Sequence, residues 1–99
     1  MKNRANLYEP YLTKSDNFFI KKSIDEGWVS TAGKNIDKFE KKISDLVKVK
    51  YCLALNSGTS SLDISLKVLG INSNHAVLVP SATFIAPINA ILYNQAEPI

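Results

Sequence analysis

The chain has 99 residues, 45% hydrophobic and 21% charged, the mixture of one small globular domain rather than of a disordered segment. Twelve basic against nine acidic side chains leave a net charge of +3, too mild to mark a nucleic-acid binder. One cysteine and one histidine exclude an internal disulfide framework and a Cys- or His-based zinc site.

Residues 1–14 hold Pro10 and little periodicity, and read as an extended arm. The N-terminus is positively charged, but residues 5–15 are too polar for the apolar region of a signal peptide. No apolar run approaches the ~20 residues that span a bilayer, so a soluble, cytoplasmic protein with no membrane partner is expected. Ser15 is expected to cap a short helix over residues 16–26, with Phe18, Phe19 and Ile20 for contacts and Gly27 as its stop. Residues 28–33 follow as a loop. Ile36, Phe39, Ile43, Leu46 and Val47 then fall on one face of a helix over 34–47. Its lysines alternate with Asp37, Glu40 and Asp45 and carry no interleaved aromatic, the pattern of a solvated face and not of a nucleic-acid surface.

From Tyr51 the pattern changes. Residues 51–55 form an apolar run of strand length that includes Cys52, read as a small core residue. Residues 56–60 read as a turn, 61–69 as a helix with Leu62, Leu66 and Leu69 on one side, and Gly70 as its end. His75 falls in the next turn, as surface. A second strand is expected over 76–79 and a third helix from Phe84 to about Asn94, with Ile85, Ile88, Ile91 and Leu92 inward. Pro87 is tolerated there because it lies in the first turn. Residues 96–99 begin a third strand. Alternating strands and helices predict an α/β fold with a parallel, doubly wound sheet. A sheet left so short has an open edge, and the chain is expected to be the front of something larger. The organisation expected is an arm, short helix and loop over 1–33, then an α/β region over 34–99.

Ligands of an open parallel sheet bind outside the carboxyl ends of its strands, where residues 56–60 and 80–83 lie. The first of these turns ends at a helix N-terminus, whose free N–H groups and dipole attract anions. Gly58 lets the backbone approach an anion, and Ser57, Thr59 and Ser60 offer hydroxyl donors to phosphate oxygens. The alternative is a plain capped helix in which Ser57 or Thr59 only satisfies the first turn. A P-loop lysine does not follow Gly58, and the three glycines of a dinucleotide fingerprint are not there, so a single phosphate fits better than a pyrophosphate. Phe84 offers a flat face at the same edge for a heteroaromatic ring, or else belongs to the core.

Gly27-Trp28-Val29-Ser30-Thr31-Ala32-Gly33-Lys34, Phe39-Glu40, Asn56-Ser57-Gly58-Thr59-Ser60-Ser61-Leu62, Val79-Pro80-Ser81-Ala82-Thr83-Phe84-Ile85-Ala86, Asn89-Ala90-Ile91 and Ala96-Glu97-Pro98 occur in that order. This succession resembles the N-terminal part of the DegT/DnrJ/StrS family of sugar-nucleotide aminotransferases. The resemblance implies the start of the large cofactor-binding domain of a fold-type I aminotransferase, an incomplete parallel or mixed sheet with helices on both faces. It implies pyridoxal 5'-phosphate as cofactor, its phosphate on Ser57, Gly58, Thr59 and Ser60 and its ring against Phe84. It places Trp28, Ser30 and Thr31 near the substrate, a nucleotide-linked keto-hexose aminated from glutamate for bacterial surface sugars. A homodimer is also implied. Residues 73–76 depart from the family's usual Pro-Gly-Asp-Glu turn, a change of loop chemistry. The lysine that bonds the cofactor is expected beyond Ile99, so no catalytic residue is assigned here and the 99 residues alone are expected to be inactive. The alternative is a non-catalytic module or remnant that binds phosphate or the cofactor.

Overall fold

The computed structural model describes residues 8–30 and 32–99, which fall into two compact units, Met1–Cys52 and Leu53–Ile99. Residues 1–7 of the expected arm lie outside the described residues; Tyr8 and Tyr11 beyond them are non-helical and exposed.

In the first unit, α1 runs Lys14–Asp25 and starts earlier than the Ser15 cap predicted. Thr13 is the cap. Its Oγ1 accepts the Asp16 N–H at 3.4 Å, while Asp16 Oδ2 accepts the Thr13 N–H at 2.7 Å and its hydroxyl at 2.6 Å. That reciprocal box satisfies two helix-end donors, which a cap at Ser15 would leave open. Gly27 ends the helix as expected: at φ +73° it turns the chain so that its N–H reaches Ile24 O and the Trp28 N–H reaches Ser23 O, at 3.0 and 2.9 Å. Helix α2 covers Lys34–Val47, the predicted span, and Lys48 closes it in the left-handed conformation at φ +58°. Its apolar stripe is less covered than its spacing predicts. Ile36 and Ile43 are half-buried, Phe39, Leu46 and Val47 are exposed, and neither helix of this unit holds a buried residue.

In the second unit, α3 runs Gly58–Val68, three residues earlier than predicted. Ser57, not a residue of the helix's own first turn, is its cap: Ser57 Oγ accepts the Ser60 N–H at 3.1 Å. The expected turn is therefore already helix at Gly58. Strand β1 (Ala76–Val77) pairs in parallel with β2 (Glu97–Pro98), Ala76 opposite Glu97 and Val77 opposite Pro98. Ladder bonds continue past both ends, from the Glu97 N–H to His75 O at 3.0 Å and from the Val79 N–H to Ile99 O at 2.8 Å. The two strands are parallel, as the alternation predicted, and β1 is two residues long where 76–79 was expected.

Between the two strands lies α4 (Ile85–Tyr93), with Phe84 as its cap residue and Pro87 third in the helix, where no intrahelical N–H is lost. Helix α4 packs on α3 and on β2. The core sits at its C-terminal end, in Ala90, Ile91 and Ala96, with the polar Asn94 among them. Of the positions predicted inward, Ile91 is buried and Ile88 half-buried, whereas Ile85 and Leu92 are exposed. On α3, Leu66 is half-buried and Leu62 and Leu69 are exposed, because one neighbouring helix covers only part of a face.

Residues 51–55 differ from expectation: among the described residues they join no sheet ladder. Their burial alternates, with Cys52 and Ala54 half-buried and Tyr51, Leu53 and Leu55 exposed, the period of extended chain with one side covered. Cys52 is a free, half-buried thiol and not a core residue. His75 is exposed, as predicted, and its Nδ1 accepts the Asn72 N–H at 3.2 Å across the turn. No helix among the described residues is long and apolar enough to cross a membrane.

Candidate functional site

The N-terminus of α3 gathers four of the predicted site residues within one turn. Ser57 caps it, and Gly58, Thr59 and Ser60 are its first three residues. Ser57 Oγ lies 3.0 Å from Ser60 Oγ, so the two hydroxyls share a hydrogen bond in addition to the capping one. The Ser61 N–H is taken by Ser57 O at 3.0 Å. The N–H groups of Gly58 and Thr59, the first donors of a helix, have no intrahelical acceptor. They point along the axis where the helix dipole is positive.

Gly58 sharpens this picture. Its φ is not in the left-handed region, and a Cβ built on it meets nothing within 4 Å. Nothing among the described residues therefore asks for glycine at this position, and its lack of a side chain leaves the backbone open to approach by a ligand. Two N–H groups beside the hydroxyls of Ser57, Thr59 and Ser60, the first and last of which share one hydrogen bond, are donor chemistry that fits a phosphate group, as the P-loop and dinucleotide folds do by related means.

Phe84 stands at the N-cap of α4, is 87% exposed as a residue, and so does not belong to the core. Helix α3 leads into β1, and β1 leads through residues 78–84 into α4. This connectivity brings the N-terminus of each helix to the carboxyl edge of the parallel pair, the edge at which open α/β sheets bind ligands. The capped turn and the exposed ring thus belong to one unit and one sheet edge.

The other predicted residues lie in the first unit. Thr31 is outside the described residues, and Ser30 is exposed in the loop between α1 and α2. Trp28 lies beside Gly33 and is partly exposed. Its ring lies so close to Gly33, φ +138°, that a Cβ there would come within 3.2 Å of it. Asn35 Nδ2 donates to Ser23 Oγ at 2.9 Å, tying the start of α2 to α1. Phe19, Ile20, Ile24, Trp28 and Val29, with Ser23 and Asn35, line an open cavity of about 490 Å³.

Two polar residues escaped the sequence reading. Asn94 Nδ2 donates to Asp63 Oδ1 at 2.9 Å, and Asp63 Oδ2 accepts from Lys67 Nζ at 2.8 Å. The Lys67 hydrogen bond first, and the Asn94 amide after it, hold the Asp63 carboxyl below the ordinary 3.8 against the opposing effect of burial. The spacing of Asp63 and Lys67 was a legible signal of a helix pair; nothing in the sequence marks Asn94.

Residues 10–99 match the DegT/DnrJ/EryC1/StrS aminotransferase family. The chain is 37% identical over 93 residues to the GDP-perosamine synthase of Vibrio cholerae, covering 94% of this chain and 25% of that protein. It is 28% identical over 99 residues to the putative pyridoxal phosphate-dependent aminotransferase EpsN of Bacillus subtilis, 26% of that protein. Among solved structures, an aminotransferase from Psychrobacter cryohalolentis superposes with a TM-score of 0.80 and 26% identity, over 91% of this chain and 23% of that one. The chain spans about a quarter of the length of the curated relatives it matches.

Proposed function

Because the chain belongs to the DegT/DnrJ/EryC1/StrS aminotransferase family, we propose that it forms the N-terminal part of an aminotransferase that uses pyridoxal 5'-phosphate and acts on a nucleotide-linked keto-hexose. Glutamate is the amino donor in this reading, the product serves bacterial surface polysaccharide, and the working enzyme is a cytoplasmic homodimer. Relatives named for GDP-perosamine and for a pyridoxal phosphate-dependent activity support it. Residues 1–33 would then serve as arm and substrate-side loop, with Trp28, Ser30 and Thr31 toward the sugar nucleotide, and 34–99 as the first part of the cofactor domain.

The observation that carries the cofactor reading is the open end of α3: a capped turn with a glycine the fold itself does not require. The Gly58 and Thr59 N–H groups would hold a phosphate dianion against the positive end of the helix. Ser57, Thr59 and Ser60 would add hydroxyl donors, and the Phe84 ring would cover one face of the pyridine. Bound there, the cofactor supplies an electron sink for the carbanion chemistry of amino transfer. No lysine of this chain is assigned the covalent role. Lys22, Lys41 and Lys67 face Glu26, Asp45 and Asp63, and Lys50 lies over the Tyr51 ring.

The test supplies the full-length protein with pyridoxal phosphate, a nucleotide-linked keto-hexose and glutamate carrying an isotopic label in its amino group. Label is expected in the sugar, read by mass spectrometry. A protein that takes up the cofactor but labels no sugar overturns the substrate assignment; one that takes up no cofactor overturns the cofactor assignment.

A further inference from the structure

Helices α3 and α4 each begin with one half of the proposed cofactor site, and how they are held together decides how the halves face each other. Among the described residues, one side-chain hydrogen bond joins the two: Asn94 Nδ2 to Asp63 Oδ1, 2.9 Å. Asn94 is only 7% exposed, and its amide also donates to Ala90 O at 2.8 Å, so both its donors are used inside the unit. The other Asp63 oxygen is held by Lys67 at 2.8 Å, which fixes the carboxylate's orientation on α3.

The surroundings make that bond informative. The buried residues beside Asn94 are Ala90, Ile91 and Ala96, two of them alanines with little shape to lock one helix at one position along another. An apolar side chain at 94 would pack against them without specifying a register. A buried amide is different, because sliding α3 along α4 would leave it without an acceptor at a cost the alanines do not impose. A polar contact of this kind selects one arrangement among several of similar packing energy.

We propose that Asp63 and Asn94 are positioning residues of the cofactor site: their hydrogen bond fixes α3 along α4 and so holds the turn at 57–60 in one placement relative to the Phe84 ring. The inference rests on the cofactor reading above and adds residues that touch neither phosphate nor ring. A cofactor whose phosphate and ring are a short, fixed span apart needs both anchors at once, and small misplacement of one weakens the grip of the pair.

The experiment uses the full-length protein, with pyridoxal phosphate as the probe. Asp63→Ala and Asn94→Ala are each expected to weaken its binding about tenfold and to change the induced circular dichroism of the bound cofactor. The double variant is expected to be no worse than the weaker single, since both remove the same bond. Asp63→Asn keeps an oxygen for Asn94 and is expected to restore affinity and dichroism. Leu66→Ala, which removes packing from α3 but not the bond, is expected to lower the melting temperature and leave the dichroism of the bound cofactor unchanged. If the wild type binds but the Ala variants lose only stability, with affinity and dichroism intact, the positioning role is wrong and the cofactor reading stands. If the wild type takes up no pyridoxal phosphate, the cofactor reading fails and this inference with it.

Discussion

Helix α2 has the more regular apolar stripe in the sequence, and α4 carries Pro87 in its first turn and is apolar on several sides. Burial runs the other way. No residue of α2 is buried, whereas α4 contributes Ala90 and Ile91 to the core and its cap Asn94 besides. The difference lies in connection. Helix α4 is the crossover between two paired strands, so closing β1 on β2 forces its C-terminal half onto α3 and the sheet. Helix α2 is not a crossover between paired strands among the described residues; the Asn35–Ser23 bond ties its start to α1. Periodicity states that a face is suited to cover; chain topology supplies the cover.

The largest expected effect tests that contrast directly. Ile91→Ala, at a side chain 3% exposed, should destabilise the protein by ~2–5 kcal/mol, read by chemical denaturation. Leu46→Ala, 75% exposed on α2, should stay within about 0.5 kcal/mol. Equal losses would mean that the stripe of α2 is covered in solution, and the comparison would break. Next in size is Gly33→Ala, where a left-handed backbone and a Trp28 ring 3.2 Å from the new Cβ oppose the substitution. A loss of ~1–3 kcal/mol is expected, with a shift in the emission of the chain's one tryptophan. An unchanged spectrum would show that the ring does not rest on Gly33.

The smallest effect concerns the Thr13–Asp16 box. The Thr13 hydroxyl first, and the Thr13 N–H after it, lower the Asp16 pKa from 3.8. A carboxyl depressed in the folded state stabilises α1 above the unfolded value and loses that contribution as pH falls through the folded one. Amide resonances of residues 13–17 should therefore shift together as pH falls below the ordinary carboxylate value of 3.8, and Asp16→Asn should abolish the shift. No comparable transition is expected at the start of α3, because its cap Ser57 does not titrate.

Much of this was legible. The span of α2, the Gly27 stop, the parallel pairing of 76–77 with 97–98 and the tolerance of Pro87 all follow from local chemistry that the structure leaves in force. Helix starts were less legible, because hydroxyl residues stood at several positions in a row and only the hydrogen bonds chose Thr13 over Ser15 and set α3 to begin at Gly58. The run at 51–55 reads as a strand because its composition is right, but a ladder needs a partner strand, which composition does not provide. At the site, the hydroxyls and glycine were visible in one stretch, whereas Asn94 was not. Its role depends on a contact 31 residues away in sequence, with no periodicity to announce it.

The most direct test of the central claim is the affinity of Gly58→Ala for pyridoxal phosphate, measured by calorimetry beside its melting temperature. The added methyl meets nothing in the fold, so stability should hold or rise by up to ~1 kcal/mol as chain entropy is lost from the unfolded state. The same methyl would stand where the phosphate approaches the backbone, and affinity should fall at least about tenfold. A variant as stable as the wild type that binds the cofactor equally well would contradict the account, because the phosphate would then not sit at this helix end.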